Sequence, residues 1–270
     1  MTHKTFLFAA LLCFCGWCCT SCESNVPSET GGGSDTYVAK GFSISANKQV
    51  IFSPGNLQYQ ASTDTWRFAN HQYDYVGELN SEISPTNENW IDLFGWGTGN
   101  NPTNVSENNA DYATFVDWGT NKIGKYKANT WRTLTIDEWE YLLFKRISAA
   151  ALWGIATVNN IHGLILLPDD FTLPIDMNFI AGGDRDLGWA LNVYTTYEWE
   201  KMEEAGAVFL PASGDRLGSS IGGVQGYGRY WSATPYGSGY AYCLDFYSYE
   251  AGLGYGLRYG GQAVRLVQDL

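Results

Sequence analysis

From about Tyr37 to the end of this 270-residue chain most apolar runs are four to eight residues long and bounded by Gly, Asn or Pro, a spacing that favours short strands joined by tight turns. Gly contributes 31 residues and aromatics 16%, while charged residues reach only 16%, well under the usual quarter. That composition argues against a helix bundle, and a disordered chain is excluded because 45% hydrophobic residues are enough to build a core. Lys and Arg number 16 against 28 Asp and Glu, a net charge of −12 with no basic cluster, which argues against a nucleic-acid partner.

Strands are predicted at 41–45, 49–52, 56–59 and 65–68, then at 163–168 and 207–211, and at the C-terminus at 230–234, 240–249 and 263–267. A loop is predicted over 100–109. Two segments read as helices because a Thr stands three residues ahead of a Glu: Thr135 with Glu138, running to Arg146, and Thr195 with Glu198, running to a Gly206 stop. Trp139 and Trp199 take the same place in both helices and are expected to anchor them in the core; Trp96, Trp118 and Trp153 are left open.

Five of the six cysteines, Cys13, Cys15, Cys18, Cys19 and Cys22, crowd the N-terminus, and Cys243 stands alone, so neither a disulfide framework nor a zinc site fits. Lys4, an apolar stretch from Phe6 to Trp17, and the small residues Thr20 and Ser21 before Cys22 resemble a bacterial lipoprotein signal, with Cys19 where such boxes carry Leu. An ordinary secretory signal cut near Ser21 is the alternative. On the lipoprotein reading, 1–21 is the signal, Cys22 takes the lipid, 22–38 is a flexible polar tether and 39–270 is one domain. Lipid chains add about 0.8 kcal/mol per buried CH₂, so the membrane would be reached through the N-terminal lipid alone. The expected location is the outer membrane of the bacterial envelope, exposed at the surface.

The segment Thr130-Trp-Arg-Thr-Leu-Thr-Ile-Asp-Glu-Trp-Glu-Tyr141 resembles the "RLPT-x-x-EWE-Y" helix start of the formylglycine-generating enzyme superfamily, with Thr133 and Leu134 at the Leu and Pro positions. Gly228-Arg-Tyr-Trp-Ser-Ala-Thr234, Ala241-Tyr-Cys-Leu-Asp-Phe246, Arg258 and Gly261-Gln-Ala-Val-Arg-Leu-Val267 resemble the closing pattern of the Fibrobacter succinogenes major paralogous domain. Gly55-Asn-Leu-Gln-Tyr59, Phe94-Gly-Trp-Gly97 and Val208-Phe-Leu-Pro-Ala-Ser-Gly214 extend that similarity over most of 40–270. The resemblance implies an α+β, C-type-lectin-like fold with two helices, mostly short antiparallel strands and a closing hairpin. It does not carry catalysis across: formylglycine-generating enzymes hold copper with two C-terminal cysteines, and only Cys243 stands here. No enzyme activity, cofactor or metal is expected, and the residue motifs of calcium-dependent sugar binding are absent.

The C-terminal segment 230–267 is the candidate ligand-display surface. A period of two would turn Tyr242, Leu244 and Phe246 to the core and Cys243, Asp245, Tyr247 and Tyr249 outward. Tyr236, Gly239, Tyr240, Gly252, Gly254, Tyr255, Gly256, Leu257, Tyr259 and Gly260 complete the candidate set around Arg258. Tyr and Gly are the residues antigen-binding loops favour, Tyr for large contact at low entropy cost and Gly for adaptable backbone. The segment also resembles the variable region of diversity-generating retroelements, in which adenine randomisation scatters Asn codons to Tyr, Ser, Gly, Asp, Cys and Leu but never to Glu. All fourteen candidates belong to that set, and Glu250 does not. The ligand implied is a protein or a glycan. The alternatives are a catalytically altered or inactive relative of the formylglycine-generating enzymes, and a structural envelope or adhesin subunit whose Tyr/Gly hairpin serves packing alone.

His71 and His162 stand in no ligand-spacing motif and are read as loop or packing residues. Asp169–Asp170 and Glu203–Glu204 are adjacent acids, which cannot straddle a glycosidic bond at about 5 to 9 Å, and read as a turn and a solvated helix face. Asp184, Arg185 and Asp186, and Asp215 with Arg216, read as loop charge pairs.

Overall fold

The computed structural model describes residues 40–270; the signal expected at 1–21, the lipidation expected at Cys22 and the tether expected at 22–38 lie outside them. The strands in chain order are β1 (Phe42–Ser45), β2 (Lys48–Phe52), β3 (Leu57–Gln60), β4 (Thr65–Phe68), β5 (Trp90–Ile91), β6 (Trp153–Val158), β7 (Ile161–Leu166), β8 (Val193–Tyr194), β9 (Val208–Pro211), β10 (Asp215–Leu217), β11 (Ser220–Gly222), β12 (Gly228–Tyr236), β13 (Tyr240–Tyr247), β14 (Glu250–Leu257) and β15 (Val267–Asp269). Helix α1 (Ile136–Glu140) precedes β6, and α2 (Thr196–Glu204) lies between β8 and β9. The architecture is mixed α+β, mostly antiparallel strands with few helices.

The strands assort into sheets β1-β2-β15, β4-β3-β5, β8-β6-β7-β9, β10-β11 and β12-β13-β14. Among the described residues their ladders are antiparallel except where β6 meets β8. β15 closes on β2 through Val267 opposite Phe52, so the last strand lies beside the first described ones.

Both capping boxes form. The Thr135 hydroxyl accepts from the Glu138 amide while the Glu138 carboxylate accepts from the Thr135 amide, and Thr195 and Glu198 repeat the exchange, so amides that the first helical turn cannot satisfy internally are paired. Arg132 donates from both terminal nitrogens to Glu138, each at 2.8 Å, and reaches Asp269 of β15 at 2.7 Å. The residues that resembled a helix-start motif thus tie α1 to the final strand. After Glu140 the helix widens into a π-helical turn, Tyr141–Lys145, which keeps Leu142 and Leu143 buried. Gly206, at φ +99°, ends α2 in the left-handed region, where a Cβ would also strike Lys40.

Three apolar clusters fill the interior. The first holds Trp139 with Leu244 and Phe246, the second holds Trp96, Trp118 and Trp231 with Ala241 and Cys243, and the third holds Trp199 with Met202 and Phe209. The middle of β13 therefore has packed side chains on both faces, which removes the one-sided alternation expected of it. The predicted strand at 263–267 is displaced: Ala263 makes a single bridge to Tyr230, and regular pairing starts at Val267. β6 and β14 are strands that the sequence reading did not place.

Candidate ligand-binding surface

The β12-β13-β14 sheet is held in place by residues of its first strand. Tyr230 donates to the Pro211 carbonyl at 2.9 Å and accepts from Asn56, and Trp231 donates its indole N–H to the Phe94 carbonyl at 2.7 Å. Ser232 donates to the Tyr242 carbonyl at 2.8 Å, and the Thr234 hydroxyl accepts from the Ile136 amide at the start of α1. Between Trp231 and Pro235 the ladder slips, Trp231 lying opposite Cys243 and Pro235 opposite Ala241, so four residues of β12 span what two span on β13. That bulge swings the strand end and its following turn away from the core.

Beyond the bulge stands a tyrosine cluster. Tyr236 lies opposite Tyr240, and Tyr242 lies opposite Tyr255, which places all four rings on one face. The Tyr236 ring centroid is 4.7 Å from Tyr255 and 4.9 Å from Tyr242, and Tyr240 meets Tyr255 edge-on at 5.6 Å. Tyr236 and Tyr240 are each 41% exposed and Tyr255 is 55% exposed. Leu257, opposite Tyr240, borders the group half-buried.

Buried Arg258 is the brace. It donates to the carbonyls of Tyr240 at 2.9 Å, Gly237 at 2.9 Å and Tyr112 at 3.2 Å, and its guanidinium lies 4.4 Å from the Trp96 ring centroid. Gly239 is buried in the same turn, where a Cβ would approach the Asn109 side chain to 2.7 Å. Tyr259 and Gly260 follow in a half-exposed turn.

A second cluster occupies the opposite face at the far end of β13. Tyr247 meets Tyr227 at 5.8 Å and Tyr249 at 6.4 Å, and Arg185 sits 4.2 Å from the Tyr249 ring. Arg229 pairs with Asp215 at 2.8 Å, and the Tyr227 hydroxyl donates to the same carboxylate at 2.9 Å. Burial pushes the Tyr227 phenol up to about 12, with Asp215 adding to the shift, so the hydroxyl stays a donor at neutral pH. Asp245, opposite Gly252, is raised by burial and lowered by Arg229. At Gly252 a Cβ would meet nothing within 4 Å, and at Gly254 it would meet Asp245 at 2.9 Å.

The candidates thus divide between two faces rather than forming one surface. Seven residues separate Tyr240 from Tyr247, about 23 Å along a strand, so only a large ligand could reach both ends. Three placements differ from expectation. Cys243 points into the second apolar cluster at 0% exposure, and burial pushes its thiol up to about 12; Gly256, also buried, backs onto Trp231 and Gln262. Tyr242, expected in the core, is half-exposed and belongs to the tyrosine cluster. The sequence reading passed over Tyr227, took Arg229 only as part of the closing motif and read Arg185 as a loop charge; the Tyr-Gly-Arg run at 227–229, just ahead of the candidate segment, was the available signal for the first two.

The other titratable residues singled out in the sequence lie away from this sheet's tyrosines. His71 contacts Asp74 at 3.1 Å, and His162 stacks on Trp189 and contacts the Gln225 carbonyl at 2.7 Å. Asp169 is gripped by Ser43, Gln49 and buried Arg146. Arg216 is no loop charge: it is 1% exposed and donates to the Leu93 and Gly218 carbonyls, while its neighbour Asp215 pairs with Arg229. Among the described residues no group of three His, Cys, Asp or Glu side chains could hold a metal ion, and no helix is long and apolar enough to cross a membrane.

No protein-family model, curated protein or solved structure matches the chain.

Proposed function

We propose that this chain is a lipid-anchored envelope protein that binds a protein or glycan ligand through the outer end of the β12-β13-β14 sheet of a C-type-lectin-like domain. The observation that carries this reading is the cluster of Tyr236, Tyr240, Tyr242 and Tyr255, four rings within 4.7 to 6.5 Å of a neighbour on one face, three of them at least 41% exposed. Burying such rings would contribute more to stability than displaying them, whereas a binding surface gains from rigid amphipathic rings with a free hydroxyl. The scaffold beneath is fixed by Arg258, Trp231 and Ser232, so the exposed positions can change while the backbone does not. That is the division of labour a diversified display segment requires, and it supports a binding rather than a catalytic role. Cys243, with its thiol held protonated in the core, offers no nucleophile.

The test compares the full chain with the combined Tyr236→Ser, Tyr240→Ser and Tyr255→Ser variant on arrays of bacterial surface proteins and glycans. A ligand bound by the parent and lost by the variant is the expected outcome. Identical binding patterns would assign the sheet to structure alone.

A further inference from the structure

A half-open groove of about 340 Å³ runs along the outer face of the β4-β3-β5 sheet, at the lower end of the size range of small-molecule sites. It is lined by Gln58, Arg67, Asp74, Tyr75, Asn89 and Trp90, and uses none of the residues 236–260.

Gln58 and Arg67 are cross-strand partners, and Arg67 Nε donates to the Gln58 side-chain oxygen at 2.9 Å. The guanidinium lies 3.7 Å over the Trp90 ring, which fixes its plane. Among the described residues neither terminal nitrogen of Arg67 has a hydrogen-bond partner, and no carboxylate approaches within ion-pair distance. The guanidinium is oriented with its terminal nitrogens open, and the Asp74 carboxylate on the same groove wall acts on it only from beyond ion-pair distance. Its planar fork matches a carboxylate in two parallel hydrogen bonds, and most of the ordering cost is already met.

Beside the apolar Val76 and Leu79, three polar residues of the lining keep groups that suit hydroxyls. Asp74 uses Oδ2 on His71 and keeps Oδ1 as an acceptor. The Tyr75 hydroxyl accepts from Gln225 at 3.2 Å and retains its own proton to donate. Asn89 donates to Glu82 and keeps its carbonyl oxygen.

We propose that this groove binds an acidic saccharide of the uronic-acid or sialic-acid class, with Arg67 holding the carboxylate in front of Trp90 and Asp74, Tyr75 and Asn89 taking the hydroxyls. The site is independent of the tyrosine cluster, so its failure leaves the display reading standing.

Isothermal titration of the full chain with glucuronic acid, N-acetylneuraminic acid, glucose and N-acetylglycylglycine tests it. At least one acidic sugar should saturate, with glucose weaker by about tenfold or more, because glucose leaves the fork unpaired. Arg67→Lys keeps the charge and loses the fork, and should weaken acidic-sugar binding by about tenfold, while Tyr255→Ser leaves it unchanged. Should Arg67→Lys melt early, Asn89→Ala at an exposed position decides, with a several-fold loss expected. The proposal is overturned by no saturable acidic-sugar binding, by equal binding of glucose, by unchanged affinity in a folded variant, or by the dipeptide carboxylate binding as tightly as the sugars.

Discussion

Arg258 Nε donates to the Tyr240 carbonyl at 2.9 Å, and through that bond a buried cation holds the turn that presents the exposed tyrosines. The same guanidinium satisfies the Gly237 and Tyr112 carbonyls, so its loss would strand three acceptors around a cavity. Arg258→Ala should cost about 3 kcal/mol in urea unfolding. A loss below about 0.5 kcal/mol, the scale of an ordinary surface change, would remove Arg258 from its bracing role.

Exposed and buried positions of one strand should respond differently. Tyr240→Ser, at 41% exposure, is expected to change stability by no more than about 1 kcal/mol, whereas Leu244→Ala in the first apolar cluster should cost about 2 to 5 kcal/mol. Chemical denaturation of both variants checks this. Equal losses would mean that the tyrosine cluster is packing, not display.

Cys243 gives an orientation test. With 0% exposure and a thiol pushed up to about 12 by burial, it should resist alkylation in the folded chain at pH 8. Peptide mapping after iodoacetamide treatment should find the Cys243 peptide unmodified until urea is added. Modification in the folded protein as fast as in urea would return Cys243 to the outer face.

Asp92 sets a pH dependence. Its carboxylate accepts from the Val76 amide and from Asn80, each at 2.8 Å, yet complete burial outweighs both donors and raises it from 3.8 to about 6. The folded state thus binds this proton more tightly than the unfolded chain, so the group's favourable contribution is complete below about pH 4 and is lost as pH rises through about 6. The stability margin of the parent over Asp92→Asn should shrink by on the order of 3 kcal/mol between pH 4 and 7 in urea melts. A margin that stays flat or grows over that interval would contradict the assignment.

The parts of the fold legible in the sequence were those with a local cause. Thr135 with Glu138, and Thr195 with Glu198, mark helix starts because the capping exchange involves four consecutive residues and needs nothing else. The widening at Tyr141–Lys145 has no such mark, since it follows from packing Leu142 and Leu143 into the core. β14 escaped notice because Gly252, Gly254 and Gly256 dilute its strand character; their lack of side chains lets Asp245 and Trp231 fill that face instead. The phase of β13 misled for a related reason: with apolar clusters on both sides, Cys243 and Leu244 are both buried, and periodicity no longer tells inside from outside. Arg216 looked like an ordinary loop charge, and Arg258 stood out only as a motif residue, because burial of a cation against backbone carbonyls is decided by chain segments far apart, such as Leu93 for Arg216 and Tyr112 for Arg258.

The most direct measurement is deep sequencing of the last 120 or so nucleotides of the gene across a cell population, with the flanking DNA. The account predicts substitutions concentrated at Tyr236, Tyr240, Tyr247, Tyr249, Tyr255 and Tyr259, sparing buried Leu244, Phe246, Cys243 and Arg258, with an adenine-rich near-copy and a reverse transcriptase alongside. An invariant segment with no template copy nearby would contradict diversification, and substitutions falling equally on Leu244 and Tyr255 would contradict a display surface on a fixed scaffold.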